Sequence, residues 1–218
     1  MKVTVPTSLR DIKLSTYLQY LKQVDYAKNK EDSKGYIITQ KLMLFCNLTM
    51  EEVGMIPYDT VTGISETIDV IISSTPPRSD FIKLGNKTFG WVPSLDDLNW
   101  GEFLDLNSNI SDWDTIHIAL GVLYRPIILK YKGKYAVEKY KGDKYHNLIK
   151  EMPMDIVVSS MVFFWNLGMD CAKSTLLFLG TEQQRTDKTN SSMQSGDGMA
   201  QSMSSLVEML QSMKKSIS

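Results

Sequence analysis

The chain has 218 residues, with 24 lysines and arginines against 25 aspartates and glutamates and a net charge of −1. That length holds one domain with a core large enough to fold unaided. The balanced charge excludes a nucleic-acid coat, which needs a clear basic excess.

In chain order, residues 2–5 read as a short β-like start closed by Pro6, with a turn at Thr7 or Ser8. Ser15 is a candidate N-cap for a helix to about Lys28, where Leu18, Leu21 and Val24 fall three apart on one side. After the polar loop 29–35, residues 36–48 form a second, apolar helix. Thr49 and Glu52 make a capping box for a short helix ended by Pro57. Residues 58–73 carry Val61, Ile64, Ile68, Ile71 and Ile72 on one helical face, stopped by Pro76 and Pro77.

Residues 81–84 and 88–92 flank Gly85, Asn86 and Lys87 as a hairpin, with Gly85 and Asn86 suited to positive φ. Ser94 opens the next segment, with Asp96 and Asp97 placed in a first helical turn, where negative charge is favourable. Asp112 caps a helix over 113–124, ended by Pro126 through its restriction of Arg125. A second hairpin joins 127–131 to 135–140 around Lys132 and Gly133. Residues 143–150 form a short helix, and Pro153 opens a long apolar helix to about Leu179. Its most hydrophobic run, 156–169, is shorter than the ~20 residues a membrane span needs and contains Ser159, Ser160 and Asn166. A buried central helix is expected, with no membrane role. The first residues lack the apolar stretch of an export signal.

Composition changes after Gly180. Residues 181–198 are polar and read as a flexible linker. Met199, Met203, Leu206, Leu210 and Met213 then recur at spacings of four, three, four and three, a single apolar seam. Two heptads are too short to be stable alone in water, so this helix is expected to dock on a partner. The layout is a globular unit over 1–180, a linker over 181–198 and an amphipathic helix over 199–218. The fold class is α+β, mainly α-helical, with two small β-hairpins.

Few residues suggest chemistry. Cys46 and Cys171 lie in apolar, helix-like surroundings, as free cysteines that pack as small hydrophobes. A reducing, cytoplasmic site of synthesis fits them. Asp114 is placed to orient His117 from one turn away, but no further ligands have helical spacing, so a capping or partly buried histidine is expected. His146 has no visible partner. Asp96, Asp97, Glu102 and Asp105 could hold a hard cation, yet the alternating oxygen pattern of a calcium loop is missing, and caps on a solvated face are the plainer reading. Gly85, Gly90 and Gly101 make no phosphate loop, since no Lys-Ser/Thr follows. Lys130, Lys132, Lys134, Lys139, Lys141 and Lys144 interleave with Tyr131, Tyr135, Tyr140 and Tyr145. That alternation would suit single-stranded nucleic acid, and equally a solvated hairpin.

Trp91, Trp100, Trp113 and Trp165 serve a core or an interface equally well. Arg125 is placed to clamp the acidic turn at Asp97 or Asp105. With the seam residues, Trp100 and Arg125 complete the candidate partner-binding set. Trp100, Trp113, Tyr124 and Arg125 are expected to lie together.

Five stretches, 3–21, 41–49, 83–106, 116–127 and 151–168, carry a resemblance. They read VTVPTSLRDIKLSTYLQYL, KLMLFCNLT, KLGNKTFGWVPSLDDLNWGEFLDL, IHIALGVLYRPI and EMPMDIVVSSMVFFWNLG. In this order they resemble small proteins encoded among the virion and tail genes of tailed bacteriophages, crAss-like phages included. The resemblance implies a non-enzymatic structural or assembly protein without cofactor or metal. Its partners would be other virion proteins at the tail, the tape measure or the portal vertex, with a ring-forming homo-oligomer open to it. It implies a virion location after synthesis in the host bacterial cytoplasm. The alternatives are a transient tail-assembly chaperone absent from the virion, and an ejected cargo protein with weak nucleic-acid binding.

Overall fold

The computed structural model describes residues 2–28 and 33–186, with side chains to Asp170. Among them are eight α-helices and one four-stranded sheet, a mixed α+β fold that is mainly helical. The helices are α1 (Leu14–Ala27), α2 (Ser33–Phe45), α3 (Met50–Gly54), α4 (Tyr58–Ile72), α5 (Trp100–Asn109), α6 (Ile116–Leu123), α7 (His146–Ile149) and α8 (Met154–Thr186). The strands are β1 (Phe81–Leu84), β2 (Lys87–Trp91), β3 (Tyr124–Tyr131) and β4 (Lys134–Val137). None of the described helices is long and apolar enough to cross a membrane.

The expected hairpins both form, but they join into one antiparallel sheet of order β1-β2-β3-β4. In the first, Gly85 alone takes positive φ, as a turn with glycine at its first central position requires. In the second, Lys132 and Gly133 both do, at 46° and 79°, which twists the two-residue turn with its strands. β2 meets β3 through three pairs, Phe89 with Pro126, Gly90 with Arg125 and Trp91 with Tyr124. This pairing starts β3 at Tyr124, inside the helix expected over 113–124. α6 is correspondingly short, ending where the Leu123 carbonyl accepts from the Val92 N–H at 2.8 Å. At its other end Asp112 takes the Asp114 N–H at 2.9 Å, holding a turn ahead of Ile116.

The residues expected as a β-like start pair with no strand. The chain instead crosses back onto the segment before α8. Leu14 N–H donates to Met152 O, Ser15 N–H to Lys150 O and Met154 N–H to Ile12 O, each at 2.8 Å. Those bonds satisfy the first amides of α1, so the predicted Ser15 cap is displaced. The Ser15 hydroxyl turns to Glu151 at 3.3 Å. Leu9, Ile12 and Leu14 thereby enter the main core with Phe89, Leu120, Leu123, Tyr124, Met152 and Val157. Ser159 and Ser160, polar yet buried, donate their hydroxyls to the Ile156 carbonyl at 3.1 and 2.7 Å, which removes the desolvation penalty within the helix itself. Cys46 is buried, and burial raises its thiol pKa. The Cys171 side chain lies outside the described residues.

α1, α2 and α4 form a side layer. Lys41 crosses from α2 to α4, where its ammonium reaches Asp69 at 2.6 and 2.7 Å and Ser65 at 2.9 Å. At the C-terminal side, α8 continues through Gly180 to Thr186. The linker expected to begin at Thr181 therefore does not start there. Glu, Gln and Arg at 182–185 are good helix formers and carry the helix past the glycine. The remainder of that linker, 187–198, and the seam of Met199, Met203, Leu206, Leu210 and Met213 lie outside the described residues.

Candidate protein-binding surface

α5 starts later than expected, at Trp100, because Asn99 and not Ser94 is its cap. Asn99 Oδ1 accepts from the Glu102 N–H and the Glu102 carboxylate accepts from the Asn99 N–H, both at 3.1 Å. Ser94 instead closes a turn through the Asp96 N–H at 3.1 Å. Asp96 and Asp97 thus precede the helix rather than lie in its first turn.

Glu102 does double duty. Its second oxygen pairs with Arg125 Nη1 at 3.0 Å, and both side chains are about nine-tenths buried. Arg125 Nε donates to the Val122 carbonyl at 2.7 Å, and the guanidinium lies over the Tyr140 ring at 5.6 Å. The Tyr140 hydroxyl in turn donates to Asp105 at 3.0 Å. Burial and the nearby Asp105 carboxylate push that phenol's pKa up. Two side chains of α5, one turn apart, are therefore fixed to β3 and to the segment after β4.

The same helix turns Trp100, Phe103 and Leu104 to solvent. Trp100 is 71% exposed and stacks on Phe103 with ring centres 5.6 Å apart and planes 23° off parallel. An exposed aromatic pair on a helix held from behind is costly to leave in water and is already ordered for binding.

The predicted partner-binding set divides here. Trp100 lies at the centre of the exposed patch. Arg125 does not belong to the surface. It was expected to reach Asp97 or Asp105, but its partner is Glu102, which the sequence pattern assigned to a solvated face. Within the expected cluster of Trp100, Trp113, Tyr124 and Arg125, Arg125 reaches α5 through Glu102, two residues from Trp100. Trp113 packs on Tyr17 and Tyr124 on Trp91. Trp91 is in the core between Tyr124, Phe163 and Arg78. Phe103, like the tryptophans suited by type to a core or an interface, is exposed, and Leu104 was missed as a surface residue, with its spacing of four from Trp100 the available signal.

The acidic residues do not converge. Among the described residues no group of three or more His, Cys, Asp or Glu is placed to hold a metal ion. His117 and His146 meet edge to face, with ring centres 5.2 Å apart, a pairing that no spacing along the chain suggests. His117 Nδ1 and His146 Nε2 are buried without a hydrogen-bond partner. Burial, then Lys150 and His146, bring the pKa of His117 down to about 4.

The Lys/Tyr alternation also resolves. Tyr135 donates to the Trp91 carbonyl at 2.7 Å and Tyr145 to Glu138 at 2.6 Å. Lys141 and Lys144 reach the same Glu138 at 2.6 and 3.2 Å, which holds that carboxyl down at a pKa of about 2. Of the four tyrosines, only Tyr131 is exposed. No protein-family model, characterised protein or solved structure matches the chain.

Proposed function

We propose that the protein is a non-enzymatic structural or assembly protein of a tailed bacteriophage and binds another virion protein through the exposed face of α5. The observation that carries the binding reading is the Trp100–Phe103 stack, exposed on a helix held by the Glu102–Arg125 pair. The phage assignment rests on the resemblance of the sequence blocks given above. The partner would come from the tail, the tape measure or the portal vertex, and would present an apolar pocket for the indole.

The test is immunoblotting of gradient-purified particles and of assembly intermediates from infected cells, with wild-type protein and Trp100→Ala. Wild-type protein should co-sediment with particles, and the variant should be lost from them while keeping the wild-type melting temperature. Recovery on intermediates alone would give the transient chaperone. Absence from both, or equal incorporation of the variant, would refute the proposal.

A further inference from the structure

The two halves of the sheet part company after the Phe89–Pro126 pair. β2 continues back to Lys87 and β3 forward to Tyr131, yet no pairing joins them there. β3 is paired on its other side through Tyr131 with Lys134, Lys130 with Tyr135 and Leu129 with Ala136. The pair closing a two-residue hairpin exchanges both its hydrogen bonds, and facing then alternates along the strand. The N–H and C=O of Lys130 therefore turn away from β4, onto an open edge. A cleft of about 540 Å³ lies along that edge, with Asn86, Lys87 and Thr88 on one wall and Ile127 to Lys130 on the other.

Its side chains are of two kinds. Ile128, Leu129 and Tyr131 are 66%, 63% and 66% exposed, an apolar set on which the Lys132 ammonium stands over the Tyr131 ring at 5.3 Å. Lys87 and Lys130 flank the cleft, and Lys132 and Lys134 stand at the tip. Glu138 also lines the cleft, but its carboxylate is occupied by Lys141, Lys144 and Tyr145.

We infer that the free edge of β3 is a strand-addition site for an extended acidic peptide segment of a partner protein, acidic residues alternating with large aliphatic ones. The backbone groups of Lys130 supply hydrogen bonds, as in other peptides that extend a sheet. Successive residues of the added strand point to opposite faces, so one set meets Leu129 and Tyr131, with Lys134 paired opposite Tyr131 and Lys132 over its ring, and the other meets Lys130. The charge selects the occupant. A second copy of this edge would bring lysine against lysine, and edge lysines with a bulge are how sheets resist pairing with themselves. The bulge is present, between Ile127 and Leu129. Single-stranded nucleic acid shares the charge preference but stacks on aromatic faces, and Tyr131 is the one exposed ring among the hairpin tyrosines, beside two bare aliphatic side chains. The site is separate from the α5 face and does not rest on its reading.

The test uses the full chain and fluorescein-labelled eight-residue peptides in which Glu alternates with Val, Ile or Leu. Anisotropy reads binding, and amide NMR locates it. Binding should move the amides of residues 127–131. It should fall at least about tenfold when alternate peptide nitrogens are methylated, and similarly at low salt when Lys replaces Glu. Lys130→Pro removes the outward N–H and should abolish binding. Lys130→Glu, which keeps the backbone, should weaken it, and Trp100→Ala should leave it unchanged. No binding by any acidic peptide would overturn the inference. So would indifference to N-methylation, binding of oligothymidylate alone, or a dimer in sedimentation that Lys130→Pro dissociates.

Discussion

Removing the guanidinium of Arg125 would leave the Glu102 carboxylate buried without its cation. Breaking one side of a buried pair costs more than the pair contributes. Arg125→Ala should lower stability by about 3 kcal/mol in urea unfolding, and the Arg125→Met, Glu102→Gln double variant by clearly less. Equal losses in the two would show that the carboxylate finds water instead. Gly90 is a second tight point. A Cβ there would lie 2.8 Å from the Tyr135 ring and 3.0 Å from Ile127. The Tyr135 ring crosses the glycine to reach the Trp91 carbonyl, so Gly90→Ala should cost about 1–3 kcal/mol through a displaced ring. The penalty should shrink in a Tyr135→Ala background.

Elements differ in how much of them could be read in advance. α3 and its Thr49–Glu52 box were legible because the cap and the helix are neighbours in sequence; the Glu52 carboxylate takes the Thr49 N–H at 2.7 Å. The β1–β2 turn was legible for the same reason. α1 was misread at its cap because distant carbonyls, on Lys150 and Met152, supply what Ser15 would have supplied. α6 was overextended because β2 claims Tyr124 and Arg125. Tertiary partners overrode local preference in both cases. The buried pairing of α2 with α4 was equally invisible. Asp69→Ala should destabilise by about 1–2 kcal/mol, since it strands a buried ammonium whose partner is half exposed, whereas Lys41→Met should be nearly neutral.

The contact of α6 with α7 adds a pH dependence. The folded-state pKa of His117 is about 4, below its ordinary 6.5, so the fold favours the neutral ring. That stability is complete above about pH 6.5 and is lost as pH falls towards 4. Discounted for the partly exposed ring, the loss should be about 1–2 kcal/mol. Urea midpoints at pH 7.5 and 4.5 should differ in wild type and converge in His117→Leu. An unchanged difference would place the dependence elsewhere.

At the scale of the whole molecule, the candidate site was half legible. Aromatic and charged residue types marked the 81–127 region, and Trp100 is at the exposed centre of a patch there. Which of its charges faced water was not legible, because Glu102 and Arg125 are buried only by each other and by elements far away in sequence. The lacing of residues 12–15 to 150–154 ties the start of the chain to the start of α8. Deleting residues 1–12 would remove Leu9 and Ile12 from the core and a backbone bond to Met154. That truncation should abolish cooperative thermal unfolding by circular dichroism.

The same lacing sets a timetable for biosynthesis. The residues that receive the amides of Leu14 and Ser15 leave the ribosome some 140 positions later, on the order of ten seconds at ordinary elongation rates. Through that interval Leu9, Ile12 and Leu14 have no core to enter, and the apolar faces of the early helices stand open to other nascent chains. The domain cannot close from its N-terminus forward; the clasp shuts only after the start of α8 has been made. A codon change that slows translation before residue 150 would lengthen this exposed phase and raise aggregation without altering one residue of the folded protein.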